Sequence, residues 1–459
     1  MISLFKAVVT RLRHYWTARN AYSLRYRALD LGFRVYDEQV TRVRISIPNN
    51  RRAEHIAILG KTGTGKSSLV RFLIKQDIEA GRGFVCFDLH GDLTPFVLST
   101  VAAQEKVFKH RLSDRLIVVE PADSEFSVGL NPLEQHSGSE RFVQVAEFAQ
   151  VLKQRWHLEA FGARTDELLR NSIYVLAENG FTLLELGPFL SNVVFRAKCL
   201  ERVVNPEVKE YFLSRYDKAS EPMRANMREP ILNKTSAFTA DPHFRHIVGQ
   251  RHSTFSVLDA IDRGQWIVLN LDKGKLGQEA MTLGSLFLTM IKNALFARRK
   301  RDLFTLYCDE MQNLVSYGSG LDTVLSEARK FGVSVVSANQ FLDQYPAEMR
   351  SAILALGTHI FFQLSSPDAQ QIAMALDGGR TLTELLKNLP RRHIVVKTGY
   401  ERRMEGVVPM LNNPKIDFSG IYNRSRARWA RKRKEVEEEI AKRQSVVDRR
   451  SKEVLEGWE

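Results

Sequence analysis

The sequence contains few cysteines. Cys86, Cys199 and Cys308 are the only three in 459 residues, and they lie far apart. This spacing excludes a disulfide framework and a zinc site built from paired cysteines, and it suits a reducing compartment. Cys86 and Cys308 fall inside apolar runs typical of strands, so we expect both to be small core residues.

Long apolar runs are also missing, and no stretch has the length and apolarity of a bilayer span. The N-terminal sequence MISLFKAVVTRLRHYW starts with apolar residues, but Lys6, Arg11 and Arg13 interrupt them and no small-residue cleavage site follows. It therefore does not fit a signal peptide. A docking helix is the favoured interpretation, and an amphipathic helix on a membrane surface stays open. We expect a cytoplasmic protein, with a peripheral position at the inner face of the cell membrane as the alternative.

Acidic residues are outnumbered by basic ones. The formal net charge is +14 and the pI is about 9.6. This charge suits a polyanionic partner, with nucleic acid first and an acidic membrane surface second. A basic soluble protein without such a partner is the alternative. The length exceeds that of one ordinary domain.

The sequence GKTGTGKS at Gly60–Ser67 fits the phosphate-loop pattern G-x-x-x-x-G-K-[ST]. It lies between an apolar run, His55–Leu59, and a helical pattern, Ser68–Ile78, which is the context that this loop requires. Glycines let successive N–H groups converge on phosphate oxygens. Lys66 is expected to reach the β- and γ-phosphates, and Ser67 offers a hydroxyl to Mg²⁺. The sequence therefore predicts ATP and Mg²⁺ as cofactors, bound by Gly60, Lys61, Thr62, Gly63, Thr64, Gly65, Lys66, Ser67 and Ser68.

A second motif follows the apolar run Phe304–Cys308, which leads directly into Asp309 and Glu310. A hydrophobic strand that ends in Asp-Glu is a Walker B pattern. Asp309 is expected to hold Mg²⁺ through its water shell, and Glu310 to polarise the attacking water.

Polar residues follow the apolar run Phe84–Phe87 as well. Asp88, His90 and Asp92 stand where a strand ends, the position at which open α/β sheets carry their sites. They could coordinate metal-bound water or sense the nucleotide. The alternative is an Asx turn that closes the strand.

Two further candidates flank the predicted strand Val333–Ala338. Gln340 follows it and could sense the γ-phosphate. Arg329 precedes it and is a candidate arginine finger, which would stabilise charge in the transition state. A surface salt bridge is the alternative for Arg329.

Strand-like runs alternate with helical patterns, which predicts a mostly parallel sheet with helices on both faces. The predicted domains are an N-terminal basic segment (1–45), a discontinuous motor domain (46–138 and 253–412), an inserted all-α domain (139–252) and a basic helical tail (413–459). Arg42–Ile47 is predicted to be an edge strand. The other predicted strands are His55–Leu59, Phe84–Phe87, Leu116–Val119, Trp266–Leu271, Phe304–Cys308, Val333–Ala338, His359–Leu364, His393–Lys397 and, more weakly, Val407–Leu411.

The insertion and the tail both carry basic residues. In the insertion, the candidates for phosphate contacts are Arg224, Arg228, Lys234, Arg245 and Arg251, and a solvated face is the alternative. In the tail, Arg424–Lys434 contains seven Lys or Arg, which could bind DNA or acidic lipid or keep the tail soluble. Ile440, Val447 and Val454 are spaced by seven, which suits a short coiled coil or a single solvated helix.

Several motifs together resemble the FtsK–HerA superfamily of P-loop motors, and in particular the TraG/TraD-like coupling ATPases of conjugation and type IV secretion. The matching stretches are EHIAILGKTGTGKSSLVR, FDLHGDL, GLNPLE, LYCDEMQNLV, SEARKFGVSVVSANQ and FFQLSSPDAQQIA. The resemblance implies a RecA-like P-loop NTPase that forms a hexamer, commonly around DNA, with nucleotide between subunits. It implies that Arg329 acts on a neighbour's nucleotide, that Gln340 senses the γ-phosphate, and that the insertion contacts DNA or cargo.

The resemblance predicts an ATP-hydrolysing DNA translocase or coupling ATPase, with secretion-channel or relaxase partners. Coupling proteins usually carry N-terminal transmembrane helices, and this sequence shows none. A HerA-like DNA-processing motor that acts with a separate nuclease in repair or phage defence is the second hypothesis. A nucleotide-gated scaffold with little turnover is the third.

Overall fold

The computed structural model describes residues 28–108, 111–135, 141–277, 279–314, 321–399 and 401–455. The predicted N-terminal helix lies outside these residues. The strands are β1 Ala28–Tyr36, β2 Gln39–Pro48, β3 Ile56–Leu59, β4 Gly83–Asp88, β5 Leu116–Val119, β6 Phe126–Ser127, β7 Trp266–Asn270, β8 Phe304–Asp309, β9 Val333–Asn339, β10 Thr358–Phe361, β11 His393–Thr398, β12 Met404–Val407 and β13 Arg431–Lys432.

An 11-stranded sheet forms the centre, in the order β2-β1-β12-β11-β10-β3-β9-β8-β4-β7-β5. All neighbours from β10 to β5 are parallel. The strands from β11 to β2 extend the sheet with antiparallel pairs. The prediction of a mostly parallel α/β sheet is confirmed, and β2 lies at the edge as predicted.

The strand β1 is not among the predicted strands. Residues 1–45 are predicted to lie outside the motor, but β1 pairs with β12 and β2 inside the central sheet. Its regular alternation is interrupted at Gly32, where the register shifts and φ is +131°. A side chain at this position would collide with the Val407 carbonyl, so glycine lets the two strands approach.

Hydrophobic cores cover both faces of the sheet, because parallel strands are buried on both sides. Along β4, Phe84 and Cys86 face one core while Val85 and Phe87 face the other. Cys308 on β8 is buried too, so the prediction that Cys86 and Cys308 are core residues is confirmed.

The α-helices of the motor connect these strands and cover both faces. They are Asn49–Arg52, Lys66–Glu79, Leu93–Phe108, Val257–Asp262, Lys273–Leu276, Glu279–Ala297, Leu321–Glu327, Ala347–Leu354, Ser366–Ala375 and Gly379–Asn388. Glu279–Ala297 is the one helix among the described residues that is long and apolar enough to cross a membrane, contrary to the prediction that no stretch is. Its most apolar window is 72% buried inside the protein, as in a core helix.

The insertion is helical throughout its described part. Its α-helices are Arg141–Arg155, Gly162–Glu178, Leu186–Ser191, Val193–Glu201, Pro206–Glu210, Glu221–Ala240 and Pro242–Val248. They share one hydrophobic cluster with a face of the sheet. Asn131 lies where the chain enters the insertion. Its Nδ2 donates to the carbonyl of Phe181 inside the insertion (3.1 Å) and to that of Arg251, where the chain leaves the insertion (2.9 Å). The domain boundaries themselves stay a prediction.

Two helices, Ser419–Trp429 and Arg433–Leu455, form the tail. The first packs beside β5, where the Ser425 hydroxyl accepts a hydrogen bond from the Val118 amide (3.0 Å). The second packs on the insertion, with Ile440 buried against Leu184. Ile440 therefore takes part in neither a coiled coil nor a solvated face. The side chains of Val447 and Val454 lie outside the described residues.

Candidate functional site

The phosphate loop joins β3 to the helix Lys66–Glu79. Gly63 (φ +79°) and Gly65 (φ +123°) adopt backbone angles that favour glycine. Gly60 is required for a different reason, since a Cβ there would lie 2.5 Å from Cβ of Phe362. The backbone is held from behind, because Lys61 N donates to the Gln363 carbonyl (2.8 Å). The loop is therefore built as an anion cradle at a helix N-terminus.

Lys66 is buried and curls back over the loop. Its Nζ donates to the carbonyls of Gly60 (2.6 Å) and Lys61 (2.9 Å). Burial lowers the pKa of Lys66, and the nearby carboxylates Asp309 and Glu310 oppose this shift. The Lys66 ammonium is thus held over the phosphate loop, in position to bind a phosphate.

The Walker B residues stand beside the loop, because β8 and β3 are separated only by β9. The Ser67 hydroxyl donates to Asp309 Oδ2 (3.3 Å). Burial raises the pKa of Asp309, and the charge of Glu310 adds to this effect. A hydroxyl and a carboxylate oxygen are the hard ligands that suit Mg²⁺, which usually keeps several waters and phosphate oxygens as its other ligands. The residues present therefore fit nucleotide-bound Mg²⁺.

Glu310 has a left-handed backbone (φ +56°), which is uncommon outside glycine. Its Oε2 accepts hydrogen bonds from Lys273 Nζ (3.2 Å) and Asn313 Nδ2 (2.9 Å), and His90 Nε2 lies 3.3 Å away. Burial alone would raise the pKa of Glu310, but the hydrogen bond from Lys273 and the charge of His90 lower it. Glu310 is therefore held as a carboxylate.

Gln340 follows β9 and lies between the phosphate loop and Glu310; its predicted role in sensing the γ-phosphate stays a prediction. Its Oε1 accepts from the Thr62 hydroxyl (2.9 Å), and its Nε2 donates to Glu310 Oε1 (3.4 Å). A chain of hydrogen bonds thus connects the phosphate loop to the Walker B glutamate.

These groups surround a cavity of about 340 Å³. The predicted residues that line it are Thr62, Gly63, Gly65, Lys66, Ser67, Ser68, Asp309, Glu310 and Gln340. Gly60, Lys61 and Thr64 complete the loop, in which the Thr64 hydroxyl donates to the Lys61 carbonyl (2.8 Å). His90 and Arg391 line the cavity too.

The three candidates at the end of β4, Asp88, His90 and Asp92, have different surroundings. Asp88 is buried and caps the turn, since its carboxylate accepts from the amides of Gly91 and Thr94, both at 2.8 Å. This is the turn interpretation. Asp92 forms an ion pair with Arg71. Only His90 reaches the site.

Arg329 does not join the site of its own chain. It precedes β9 and forms an ion pair with Glu54 (3.3 Å), which precedes β3, and its side chain is 64% exposed. In a parallel sheet the amino ends of the strands lie at the edge opposite the carboxyl ends, where the phosphate loop is. Arg329 therefore does not reach the phosphate loop of its own chain.

The basic candidates of the insertion are mostly paired. Arg224 and Arg228 form ion pairs with Glu221, each at 2.8 Å. Arg245 binds Glu437 of the tail (3.1 Å), and Arg251 stacks over the Phe181 ring (5.0 Å). Lys234 is exposed. The three paired arginines are only 18–24% exposed, so they fit neither free phosphate contacts nor the solvated face that was the alternative.

The sequence analysis overlooked Lys273 and Arg391. Lys273 closely follows the buried strand β7. The same pattern, polar residues directly after an apolar strand, makes Asp88, His90 and Asp92 candidates. Arg391 closely precedes β11, a position at which no local pattern indicates a phosphate site.

The described residues contain no group of three or more His, Cys, Asp or Glu side chains placed to hold a metal ion. The Ser67–Asp309 pair is thus the candidate for a divalent cation, in keeping with an ion that arrives with a nucleotide.

Residues 29–174 match the family model described as "Helicase HerA, central domain". A comparison with curated proteins finds no match.

Solved structures share the fold. Plasmid coupling protein TrwB in complex with the non-hydrolysable ATP analogue ADPNP has a TM-score of 0.61 and 17% identity, covering 84% of this chain and 92% of that chain. TrwB in complex with ADP and Mg²⁺ has a TM-score of 0.59 and 16% identity, covering 84% and 96%. VirB4 of Thermoanaerobacter pseudethanolicus has a TM-score of 0.56 and 15% identity, covering 85% and 98%.

At these identities the structural likeness establishes the fold. The phosphate loop, the Walker B pair and the strand-end Gln340 meet at one edge of a RecA-like sheet. Residues 29–174 match the HerA central domain, and the chain has the fold of the plasmid coupling protein TrwB and of VirB4.

Proposed function

We propose that the protein hydrolyses ATP and uses the energy to move DNA, or a protein–DNA substrate, in conjugative transfer or type IV secretion. The observation that carries this proposal is the hydrogen bond between Ser67 and Asp309, with Glu310 beside it. It brings the two motifs of an NTP hydrolase together across the sheet. The fold that the chain shares with TrwB and VirB4 supports the choice of biological process.

Each residue of the site has a role. The loop amides and Lys66 bind the phosphates, and Ser67 and Asp309 hold Mg²⁺. Mg²⁺, when bound, neutralises charge on the phosphates. Glu310 polarises a water molecule and accepts its proton, and the water oxygen bonds to the γ-phosphorus as the bond from this phosphorus to the ADP oxygen breaks. Gln340 senses the γ-phosphate through its contacts with Thr62 and Glu310.

Assembly completes the site. Arg329 lies at the amino edge of the sheet and is exposed, so a ring that places this edge against a neighbour's phosphate loop would supply the arginine in trans. We propose a homo-oligomer, a hexamer by resemblance. The net charge of +14 supports DNA as the translocated polymer. Secretion-channel or relaxase partners would link this cytoplasmic motor to the membrane, and it would lie only peripherally on the inner face.

The experiment is the steady-state rate of ATP hydrolysis by the full chain, with and without single- or double-stranded DNA. We expect DNA to stimulate the rate and Lys66→Ala to abolish it, because the phosphates lose their cation. Lys61→Ala is the matched control, since this loop lysine contributes its backbone, and it should retain most of the rate. A DNA-independent rate would contradict the motor and favour a protein-activated coupling factor.

The match to the HerA central domain favours a second candidate, a DNA-processing motor that works with a separate nuclease. Co-purification separates the two, since a nuclease partner supports the second and secretion ATPases support the first. A protein that binds ATP without turnover, with or without DNA, would instead be a scaffold.

A further inference from the structure

The two oxygens of the Glu310 carboxylate have unequal surroundings. Oε2 is contacted by Asn313 (2.9 Å), Lys273 (3.2 Å) and His90 (3.3 Å). Within the described part of the chain, Oε1 has a single, longer contact, from Gln340 at 3.4 Å. One oxygen is therefore anchored and the other is left for a further hydrogen-bond donor.

A general base needs this asymmetry. A water molecule can give its proton only to an oxygen that lies within hydrogen-bond reach and has a free lone pair. Hydrogen bonds to Oε2 also fix the plane of the carboxylate group. Without them the group would rotate about the single bond that joins it to the rest of the side chain. The anchored arrangement thus orients Oε1 and leaves it only the longer contact from Gln340 (3.4 Å).

The backbone of Lys273 is fixed by hydrogen bonds. The segment after β7 is tied to the segment after β4, since Leu271 N donates to the Asp88 carbonyl (2.8 Å) and Lys273 N to the Leu89 carbonyl (3.1 Å). The Asp272 carboxylate caps the short helix at Gly274 (2.9 Å). Lys273 Nζ is therefore presented from a braced turn, whereas the His90 side chain is half exposed.

We infer that Lys273 is a positioning residue for ATP hydrolysis: it holds Oε2 of Glu310 so that Oε1 faces the attacking water. The inference rests on the proposed hydrolysis at this site. It assigns a role to a lysine in the short helix Lys273–Leu276, which follows β7 and carries neither the phosphate loop nor the Walker B pair.

The test compares Lys273→Met with wild type in steady-state ATP hydrolysis. The kcat should fall at least about tenfold, because general-base catalysis contributes about 10²–10⁴-fold and an unheld base loses part of it. The KM for ATP should change little, because Lys273 does not contact the phosphate loop. Lys273→Arg keeps a cation at the same site and should recover part of the rate.

The control is Lys275→Met. Lys275 belongs to the same short helix and also forms an ion pair, with Glu120 (3.6 Å), but away from the cavity. It should keep the wild-type rate. Melting temperatures confirm that each variant folds. In a Glu310→Gln background, Lys273→Met should cause no further loss, since both act through one carboxylate.

The outcomes are separable. An active wild type beside an equally active Lys273→Met variant, or a further loss in the Glu310→Gln background, overturns the inference alone. A rise in KM at constant kcat does so too. A wild type that binds ATP but hydrolyses none overturns the proposed function, and the inference with it.

Discussion

His55 shows how a single buried side chain links the stability of the fold to pH. It precedes β3, has a left-handed backbone (φ +66°), and its Nδ1 accepts a hydrogen bond from the Val335 amide (3.0 Å). Burial, helped by the charge of Arg329, lowers the pKa of His55 from 6.5 to about 4. The folded protein therefore keeps this imidazole neutral at pH values where the unfolded chain protonates it.

The sign of the effect follows from linkage. Below pH 6.5 the unfolded state binds a proton that the folded state refuses until about pH 4, so the free energy of unfolding falls as the pH falls through this window. Between pH 7 and pH 5 the loss from His55 should be about 2 kcal/mol. Denaturant unfolding at several pH values measures it.

The variant His55→Asn tests this prediction, because Asn tolerates the left-handed backbone and cannot take up the proton. Its unfolding free energy should depend less steeply on pH than that of wild type. His252→Asn, at a side chain that is 89% exposed, should keep the wild-type slope. Parallel curves for wild type and His55→Asn would rule out the assigned role.

At the scale of the element, the helix Arg433–Leu455 packs against the insertion. Ile440 is buried against Leu184. The Glu437 carboxylate accepts from Arg245 (3.1 Å) and lies 2.9 Å from His246 Nε2. These contacts join residues about 190 positions apart, so the basic tail is part of the folded body.

We expect Ile440→Ala to undock this helix without unfolding the sheet. Truncating a buried isoleucine to alanine lowers the stability by about 2–5 kcal/mol. The contacts that are lost here are those of the interface between the helix and the insertion. Hydrogen exchange should quicken across residues 433–445, while β3 and the helix Lys66–Glu79 stay protected. Glu438→Ala, on the exposed side of the same helix, should leave exchange unchanged. Faster exchange throughout the protein, or no change at all, would contradict the expectation that this helix undocks while the sheet stays folded.

Local patterns predicted the parallel strands because each is a short apolar run that is buried on both faces. They predicted the phosphate loop and Asp309–Glu310 because strand, loop and helix adjoin in sequence. They missed β1, whose alternation is broken at Gly32, and Lys273, whose partner Glu310 lies 37 residues away. They also left the tail undecided, since the cover for Ile440 comes from a distant helix.

At the scale of the whole molecule, the sheet separates the phosphate loop from the residue proposed as the arginine finger. The phosphate loop lies at the carboxyl edge, and Arg329 lies exposed at the amino edge beside Glu54. A monomer therefore cannot complete the proposed site, whereas a ring in which the amino edge of one subunit meets the carboxyl edge of the next can complete every site.

The rate of ATP hydrolysis in a mixture of Lys66→Ala and Arg329→Ala chains, with DNA present, tests the account most directly. Each variant alone should be nearly inactive. A one-to-one mixture should regain roughly a quarter of the wild-type rate, since an intact loop meets an intact neighbouring arginine by chance at that frequency. Lys330→Ala, at the adjacent exposed cation, is the control and should behave as wild type. An inactive mixture of variants that still assemble, or a fully active Arg329→Ala chain, would contradict shared sites and leave Arg329 as a surface partner of Glu54.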